Sequence, residues 1–509
     1  MTRRQLEIDS GILQFAPKGA FYEEQDEQFQ HVMRMWQGLF DYDRILFCLI
    51  TLLGGTGFSK GVMNHMLLSN PQSTTGRELI PEGLSADYET EVILYNLSKE
   101  KTPRALKNLL MFVGREGRSK VNNARTRKLI LEYIFNRNHN SLDNLAVNYK
   151  GKLKTLVRHA LGRQDLTKIF MGDSQKFQKW IGRYHPNAFP VLLYLFDREI
   201  PKDQVFAYYE KIDQVLKLKE AAKAGNVEEF RRFMKGLPRL TVLGYRNTYK
   251  VPIDKSEIFE TTKMSSRQAL QMEAAAKRSG TKVKVNYKNQ DLYDLWKTLY
   301  FKLQQGDQDN LDQIVEAIGE KGEGNKDDKL DIGEVAVVFD VSRSMVGSEK
   351  RPLHPFLTGL SILSILDNIQ NVFYVGGTTI PTEIKGQEMS FVFPANATSL
   401  WKGLVDAVNS GSKKIIVISD AYENAPKGMF QHVYKHFKET EGVEVIHINP
   451  VFSADAAKGT VRKLADDIEP LPVASYKYLE TEIIFKRMME NRDLVKKLLV
   501  GKYRKLIGG

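Results

Sequence analysis

Near residue 320 the apolar pattern of this 509-residue chain changes period. Before that point apolar residues recur at helical spacing; after it, short continuous apolar runs alternate with helical stretches. The change falls at "GEKGEGNKDDKLDIG" (319–333), whose glycines and charges read as a linker. A chain built this way needs two kinds of core, helix on helix and then helix on sheet. Its length asks for the same division, since 509 residues exceed one ordinary core.

In the first part the spacing predicts helices over 23–40, 102–114, 123–136, 151–162, 188–197, 202–223, 227–235, 263–278 and 290–304. "TPRALKNLLMFVG" (102–114) carries its own punctuation, with Thr102 as cap, Pro103 in the first turn and Gly114 as stop. "GKLKTLVRHALG" (151–162) puts Leu153, Leu156, Val157, Ala160 and Leu161 on one face and its cations elsewhere. Many short helices with short connections suggest helix-pair repeats of the HEAT kind, although no crisp repeat is present. "GGTGFSKG" (54–61) lacks the Gly-Lys-Ser/Thr of a phosphate loop and reads as an interhelical turn.

In the second part strands are expected at 334–339, 371–375, 389–393, 414–419 and 443–448, and helices at 354–369, 399–409, 427–440 and 478–500. Continuous apolar strands mean a parallel sheet covered on both faces, a doubly wound, Rossmann-like α/β domain. The expected organisation is therefore multidomain. It runs from an all-α repeat domain (1–320) through a linker (321–333) and an α/β domain (334–475) to a C-terminal helix (476–509).

Ligands of such sheets sit at the carboxyl ends of the strands. There "VVFDVSRSM" (337–345) presents Asp340, Ser342 and Ser344 at alternate positions. "ANATSLWKGL" (395–404) offers the hydroxyl of Thr398, and "VISD" (417–420) ends on Asp420. Few carboxylates, several hydroxyls and room for water suit a hard divalent cation, Mg²⁺ above others. Aspartate followed by Ser342 rather than a second aspartate excludes a haloacid-dehalogenase nucleophile pair, and "DDKLDIGE" (327–334) lacks EF-hand spacing. Neither the Asp340 loop nor the Thr398 loop supplies a His or Glu base, so no catalytic residue is assigned and no enzyme activity is expected. The motif points to metal-dependent docking.

Net charge is +12, and residues 101–185 alone hold 19 Lys and Arg against 5 Asp and Glu. One segment thus carries the whole excess, the footprint of a polyanion partner. Its candidate RNA contacts are Arg115, Arg118, Lys120, Arg125, Arg127 and Lys128, then Lys152, Lys154, Arg158, His159 and Arg163, then Lys168, Lys176, Lys179 and His185. Phe170, Phe177, Trp180 and Tyr184 lie among them and fit either base stacking or the core of a helix. His159 and His185 have no Cys or Ser partner in a catalytic arrangement. Cys48 is the only cysteine, which excludes an intramolecular disulfide or a zinc-thiolate cluster. The start shows no signal peptide, and no apolar run is long enough for a membrane span, so a cytoplasmic protein is expected.

The Asp340, Thr398 and Asp420 motifs together resemble the metal-ion-dependent adhesion site (MIDAS) of von Willebrand factor A domains. A basic helical array followed by such a domain resembles the Ro autoantigen (TROVE-domain) family over about 85–475. The segments that carry this are "GKLKTLVRHALG", "LTKIF" (166–170), "GLPRLTVLGYRN" (236–247), "DVSRSM" and "NATSL" with "VISDAYEN". "MGDSQKF" (171–177) departs from the family's more basic stretch. The resemblance implies a ring of HEAT-like repeats closed by the A domain, with Y RNA or a similar small noncoding RNA on its outer basic surface. Lys168, Lys176, Lys179 and His185 fall in the matching region. It further implies single-stranded 3′ ends of misfolded RNA in the ring, and an exoribonuclease or other acidic-ligand protein at the metal site. A monomer without DNA specificity is expected. Two alternatives stay open: a metal-dependent protein-adhesion module with an incidental basic surface, and a metal-dependent nuclease.

Overall fold

A computed structural model describes residues 25–53, 57–70, 80, 82–114, 121–201, 208–262, 269–270, 273, 285–323, 329–349, 351–450, 462–473, 475–479 and 492–507. Two compact units emerge, Asn64–Asn286 and a second made of Met1–Met63 with Tyr287–Gly509. Of the expected helices, 263–278, the start of 202–223 and residues 480–491 of 478–500 lie largely outside the described residues.

The first unit is helical. After α1 (Gln25–Tyr42), α2 (Arg44–Ile50) and α3 (Gly57–Ser69), its helices are α4 (Tyr88–Lys99), α5 (Thr102–Phe112), α6 (Ala124–Phe135) and α7 (His139–Phe170). Then come α8 (Ser174–Phe177), running into a π-turn (Gln178–Gly182), α9 (Phe189–Leu195), α10 (Glu210–Ala224), α11 (Val227–Met234), α12 (Arg239–Tyr249) and α13 (Lys255–Thr261). They pack in consecutive pairs, α6 on α7 and α10 on α11. The expected helix 151–162 is the middle of α7, bounded by non-helical backbone at Tyr149 and at Gly162, whose φ of 78° suits glycine. Its five predicted apolar residues are all buried. Asp143, buried on the first part of α7, accepts the backbone N–H groups of Lys211 (2.8 Å) and Ile212 (3.0 Å) and so satisfies the start of α10.

The second unit holds the parallel sheet. Its strands are β1 (Val335–Asp340), the short pair β2 (Gly347–Ser348) and β3 (Arg351–Pro352), β4 (Ile369–Val375), β5 (Thr378–Ile384), β6 (Gln387–Phe393), β7 (Lys414–Ile418), β8 (Glu444–Asn449) and β9 (Leu471–Pro472). The five-stranded order is β4-β1-β7-β8-β9, all parallel. Helices α14 (Leu292–Gln305), α15 (Leu311–Glu323), α16 (His354–Ile365), α17 (Leu400–Asn409), α18 (Met429–Glu441) and α19 (Arg492–Leu506) complete the unit. β1 alternates between two layers. Ala336 and Val338 share a core with Leu400 and Leu404 of α17 and Phe430 and Tyr434 of α18. Phe339 stacks instead on Phe356 of α16.

Three details differ from expectation. The strand expected at 389–393 does not join the parallel sheet; as β6 it forms a separate antiparallel hairpin with β5. The stretch expected as linker begins as helix, because α15 runs to Glu323. Helix α14 docks on the α/β layers. Trp296 donates to Ser364 Oγ (3.1 Å) and Tyr300 to the Val392 carbonyl (2.9 Å), which places this helix in the sheet's unit. The C-terminal helix α19 packs on α2 through buried Val495, Leu499 and Tyr503. Among the described residues no helix is long and apolar enough to cross a membrane.

The docking of α14 also creates an acid sensitivity. Tyr293 Oη lies 2.8 Å from Nδ1 of His354. Burial, with Arg351 and Lys297 adding to it, pushes this imidazole down to about 4. A histidine depressed in the fold binds its proton first in the unfolded chain, so stability present above pH 6.5 is lost as pH falls toward 4. The loss is at most about 3 kcal/mol, and less where water reaches the ring. Urea unfolding between pH 7 and 4 should show this slope in the wild type and a shallower one in His354→Gln.

Candidate metal centre and basic surface

β1 delivers Asp340 to the carboxyl edge of the sheet, and the chain order reverses there, with β4 on one side of β1 and β7 on the other. The Ser342 N–H donates to Asp340 Oδ1 (2.9 Å), and the Ser419 hydroxyl donates to Oδ2 (2.6 Å). Ser342 Oγ and Ser344 Oγ are 3.0 Å apart, and the Ser344 hydroxyl also bonds to Asp420. Tyr422 N–H donates to Asp420 Oδ1 (2.9 Å). Asp340, Ser342 and Thr398 are at most 1% exposed and Asp420 is 8% exposed.

Backbone bonds lace the three loops together. Arg343 N–H donates to the Asn396 carbonyl (3.2 Å), Ala395 N–H to Val341 (3.0 Å) and Ala425 N–H to Thr398 (3.1 Å). Asn424 Oδ1 accepts the Thr398 N–H (3.0 Å). Gly376, at φ +87°, lets the Ser342 and Thr398 loops meet. A Cβ there would stand 3.0 Å from the Ala397 carbonyl oxygen and 3.1 Å from Ser342 Cα.

The electrostatics suit a cation. Burial, then the Asp420 charge, pushes the Asp340 carboxyl up to about 6. Burial likewise raises Asp420, with Arg462 acting against it. Two buried carboxylates that repel each other, with hydroxyls beside them, are all-oxygen donors of the kind a hard divalent ion takes. Among the described residues no group of three or more His, Cys, Asp or Glu is assembled, so a zinc-type site is not formed by them. Glu423, three residues past Asp420, is occupied elsewhere, since both its oxygens accept the Phe430 N–H (3.1 and 3.0 Å) at the start of α18. Ser419 and Asn424 were not anticipated from the sequence. The available signal for Ser419 was a hydroxyl closing an otherwise apolar strand.

The structure divides the basic candidates. Arg115, Arg118 and Lys120 lie outside the described residues. Half-buried Arg125 pairs with Glu89 (2.8 Å) and donates to the Thr90 hydroxyl (2.8 Å). These bonds tie α6 to α4. Arg127 binds Asn122 Oδ1 through two nitrogens (3.1 and 2.9 Å), and Lys128 stands 4.0 Å from Asp87. His159 Nε2 is 3.2 Å from the Val121 carbonyl. Lys154 pairs with Asp197 (2.9 Å) and Lys176 with Asp165 (3.3 Å).

His185 is buried against the rings of His139 (4.4 Å between centroids) and Tyr209 (6.4 Å), and burial lowers its pKa. That position withdraws it from a solvent-facing RNA surface. Phe177 is core, and Trp180 donates to Asp165 (3.1 Å). Lys152, Arg158, Arg163, Lys168 and Lys179 remain. All five are exposed, and none forms an ion pair with another described residue.

No protein-family model matches the sequence, and no curated protein matches it. Among solved structures, the crystal structure of the Deinococcus radiodurans Ro (RSR) protein aligns with 94% of this chain and 100% of its own, at 11% identity and a TM-score of 0.48.

Proposed function

We propose that this protein is a noncoding-RNA-binding scaffold with a divalent-metal docking site, not an enzyme. The observation that carries the reading is a set of exposed cations that pair with no carboxylate among the described residues: Lys152, Arg158, Arg163 and Lys168 on α7 and Lys179 in the π-turn that follows α8. Cations held by no carboxylate are available to phosphates, and each phosphate neutralised releases counterions. The motif resemblance to the Ro family supplies the finer reading. A Y RNA or similar small RNA lies along this surface, single-stranded 3′ ends of misfolded RNA enter a ring of repeats, and the protein works as a cytoplasmic monomer. Asp340, Ser342, Ser344, Thr398 and Asp420 would hold Mg²⁺, whose remaining position takes a carboxylate from an exoribonuclease or another acidic partner.

The test is Lys152→Glu, Arg163→Glu, Lys168→Glu and Lys179→Glu together. Affinity for a structured RNA with a single-stranded tail should fall at least about 100-fold at 0.15 M salt, and the slope of log K against log salt should shrink by about 3. Unchanged affinity and slope would overturn the RNA reading. A second reading, a protein-adhesion module, is favoured by the buried Asp340–Asp420 pair alone. It predicts Mg²⁺-dependent capture of an acidic peptide by a variant that has lost RNA binding.

A further inference from the structure

Asp197 occupies a helix C-terminus, where an acidic residue is disfavoured. Helix α9 ends in a Schellman turn, in which Asp197 N–H donates to the Tyr194 carbonyl (3.3 Å) and Arg198 N–H to Leu193 (2.9 Å). That turn puts Asp197 at φ 57°, the left-handed conformation that glycine adopts at least cost. A carboxylate at a helix C-terminus also opposes the helix dipole. What the carboxylate does touch is two cations from α7, Lys150 Nζ at 2.6 Å and Lys154 Nζ at 2.9 Å.

Around that pair the balance of charge is positive. Arg158 and Lys154 stand 5.8 Å from the Phe196 ring centroid, Arg198 stands 5.4 Å from that of Phe170, and these two rings pack at 5.4 Å. Lys150 lies 4.3 Å over Tyr194. Burial holds the Lys150 ammonium below its usual range despite Asp197, with Lys219 and Lys154 pushing the same way. One carboxylate thus serves a cluster that could hold more negative charge. Burial raises the Asp197 carboxyl, but the two lysines outweigh this and bring it down to about 2, so it is ionised at every physiological pH. Half of its side chain remains exposed, so a competing anion can reach the lysines from solvent.

We propose that Asp197 is a built-in placeholder in an RNA phosphate subsite. Its carboxylate fills the space between Lys150 and Lys154 until a phosphodiester displaces it, with Arg158 and Arg198 on the Phe196 and Phe170 rings flanking the incoming nucleotide. The proposal rests on the RNA reading above and adds an intramolecular competitor to it. Displacement exchanges one anion for another on the lysines, and the released carboxylate, half exposed already, turns to solvent, so weak or short RNAs are rejected.

The experiment is Asp197→Asn, because asparagine tolerates the left-handed conformation and removes only the charge. Binding of a 20-nucleotide single-stranded polyuridine is measured across salt concentrations in the full chain. Affinity should rise about tenfold at 0.15 M salt and the salt slope should steepen by about one. Adding Lys150→Gln and Lys154→Gln should abolish the gain. If the wild type binds RNA and Asp197→Asn binds with the same affinity and slope, the pair is only a tie between α9 and α7 and the placeholder is wrong. If neither protein binds RNA at low salt, the RNA reading has failed and the placeholder falls with it. Thermal unfolding of the variant shows in either case that the fold was present.

Discussion

Asp340→Ala should erase the thermal response of this protein to Mg²⁺. In the wild type, a cation at 100 times its dissociation constant stabilises the fold by about 2.7 kcal/mol. For a unit of this size that raises the melting temperature by about 4–5 °C. The effect has a pH signature in chelator. Asp340 is raised to about 6 in the fold, above the ordinary carboxylate value. Its contribution is therefore full below pH 4 and is lost as pH rises through about 6, by on the order of 3 kcal/mol. Mg²⁺ should reverse the sign of that dependence, because the cation binds the ionised form. Asp340→Asn should lose the Mg²⁺ response and Asp340's share of the pH slope, leaving that of Asp420, while keeping an acceptor for the Ser342 N–H and a partner for Ser419. An equal thermal shift with Mg²⁺ in wild type and Asp340→Asn would show that any bound cation sits elsewhere.

A second large effect is expected at Gly359, where α16 crosses the sheet. A Cβ there would stand 2.4 Å from Phe339 Cε2, 2.5 Å from Cζ and 3.3 Å from Ile418 Cγ2. Phe339 cannot yield, since it is fully buried and stacked at 5.7 Å on Phe356. Gly359→Val should therefore cost more than about 3 kcal/mol, at the upper end of overpacking, and push β1 and its aspartate out of register with the Ser419 strand. Gly501→Ala is the matched control. It lies in α19 with nothing within 4 Å of the added carbon, and should gain about 0.5–1 kcal/mol. Chemical denaturation of the two variants beside the wild type reads both effects. A Gly359→Val protein as stable as the wild type would mean that the helix does not approach the sheet this closely.

The contrast between these sites and others explains what could be read in advance. β1, β7 and β8 were legible because a strand buried on both faces must be apolar throughout, and a carboxylate ending such a run stands out. β5 was not. Its sequence "TTIPTEI" has a mid-strand proline and buries one residue, as befits a strand outside the main sheet. The first part of α7, "HNSLDNLAVNY", looks like a polar loop. It is a helix because Asn138 caps it and because Leu142, Leu145, Ala146 and Val147 find a core.

Proximity followed the same division. The loops that carry Asp340, Ser342, Ser344, Thr398 and Asp420 were singled out by local spacing, and the sheet edge brings those loops together. The partners of the basic residues are long-range and leave no local trace. Arg125 meets Glu89 across 36 positions and Lys154 meets Asp197 across 43. Charge counting could locate the segment but not sort its free cations from its committed ones, and nothing in "GRYHP" (182–186) announces that His185 faces inward.

The seating of α19 on α2 bears on how the molecule is made. Lys496 grips Asp43 at 2.8 Å, and that aspartate also caps α2 through the Leu46 N–H. The two residues are 453 positions apart. At ribosomal rates of about 5–20 residues per second, α2 waits about 20–90 s for the helix that packs on it. The contiguous stretch Asn64–Asn286 meets no such delay and can close while the rest is still being translated. Nascent chains stalled before residue 490 should then carry a protease-resistant middle and an exposed beginning, a natural landing place for a chaperone.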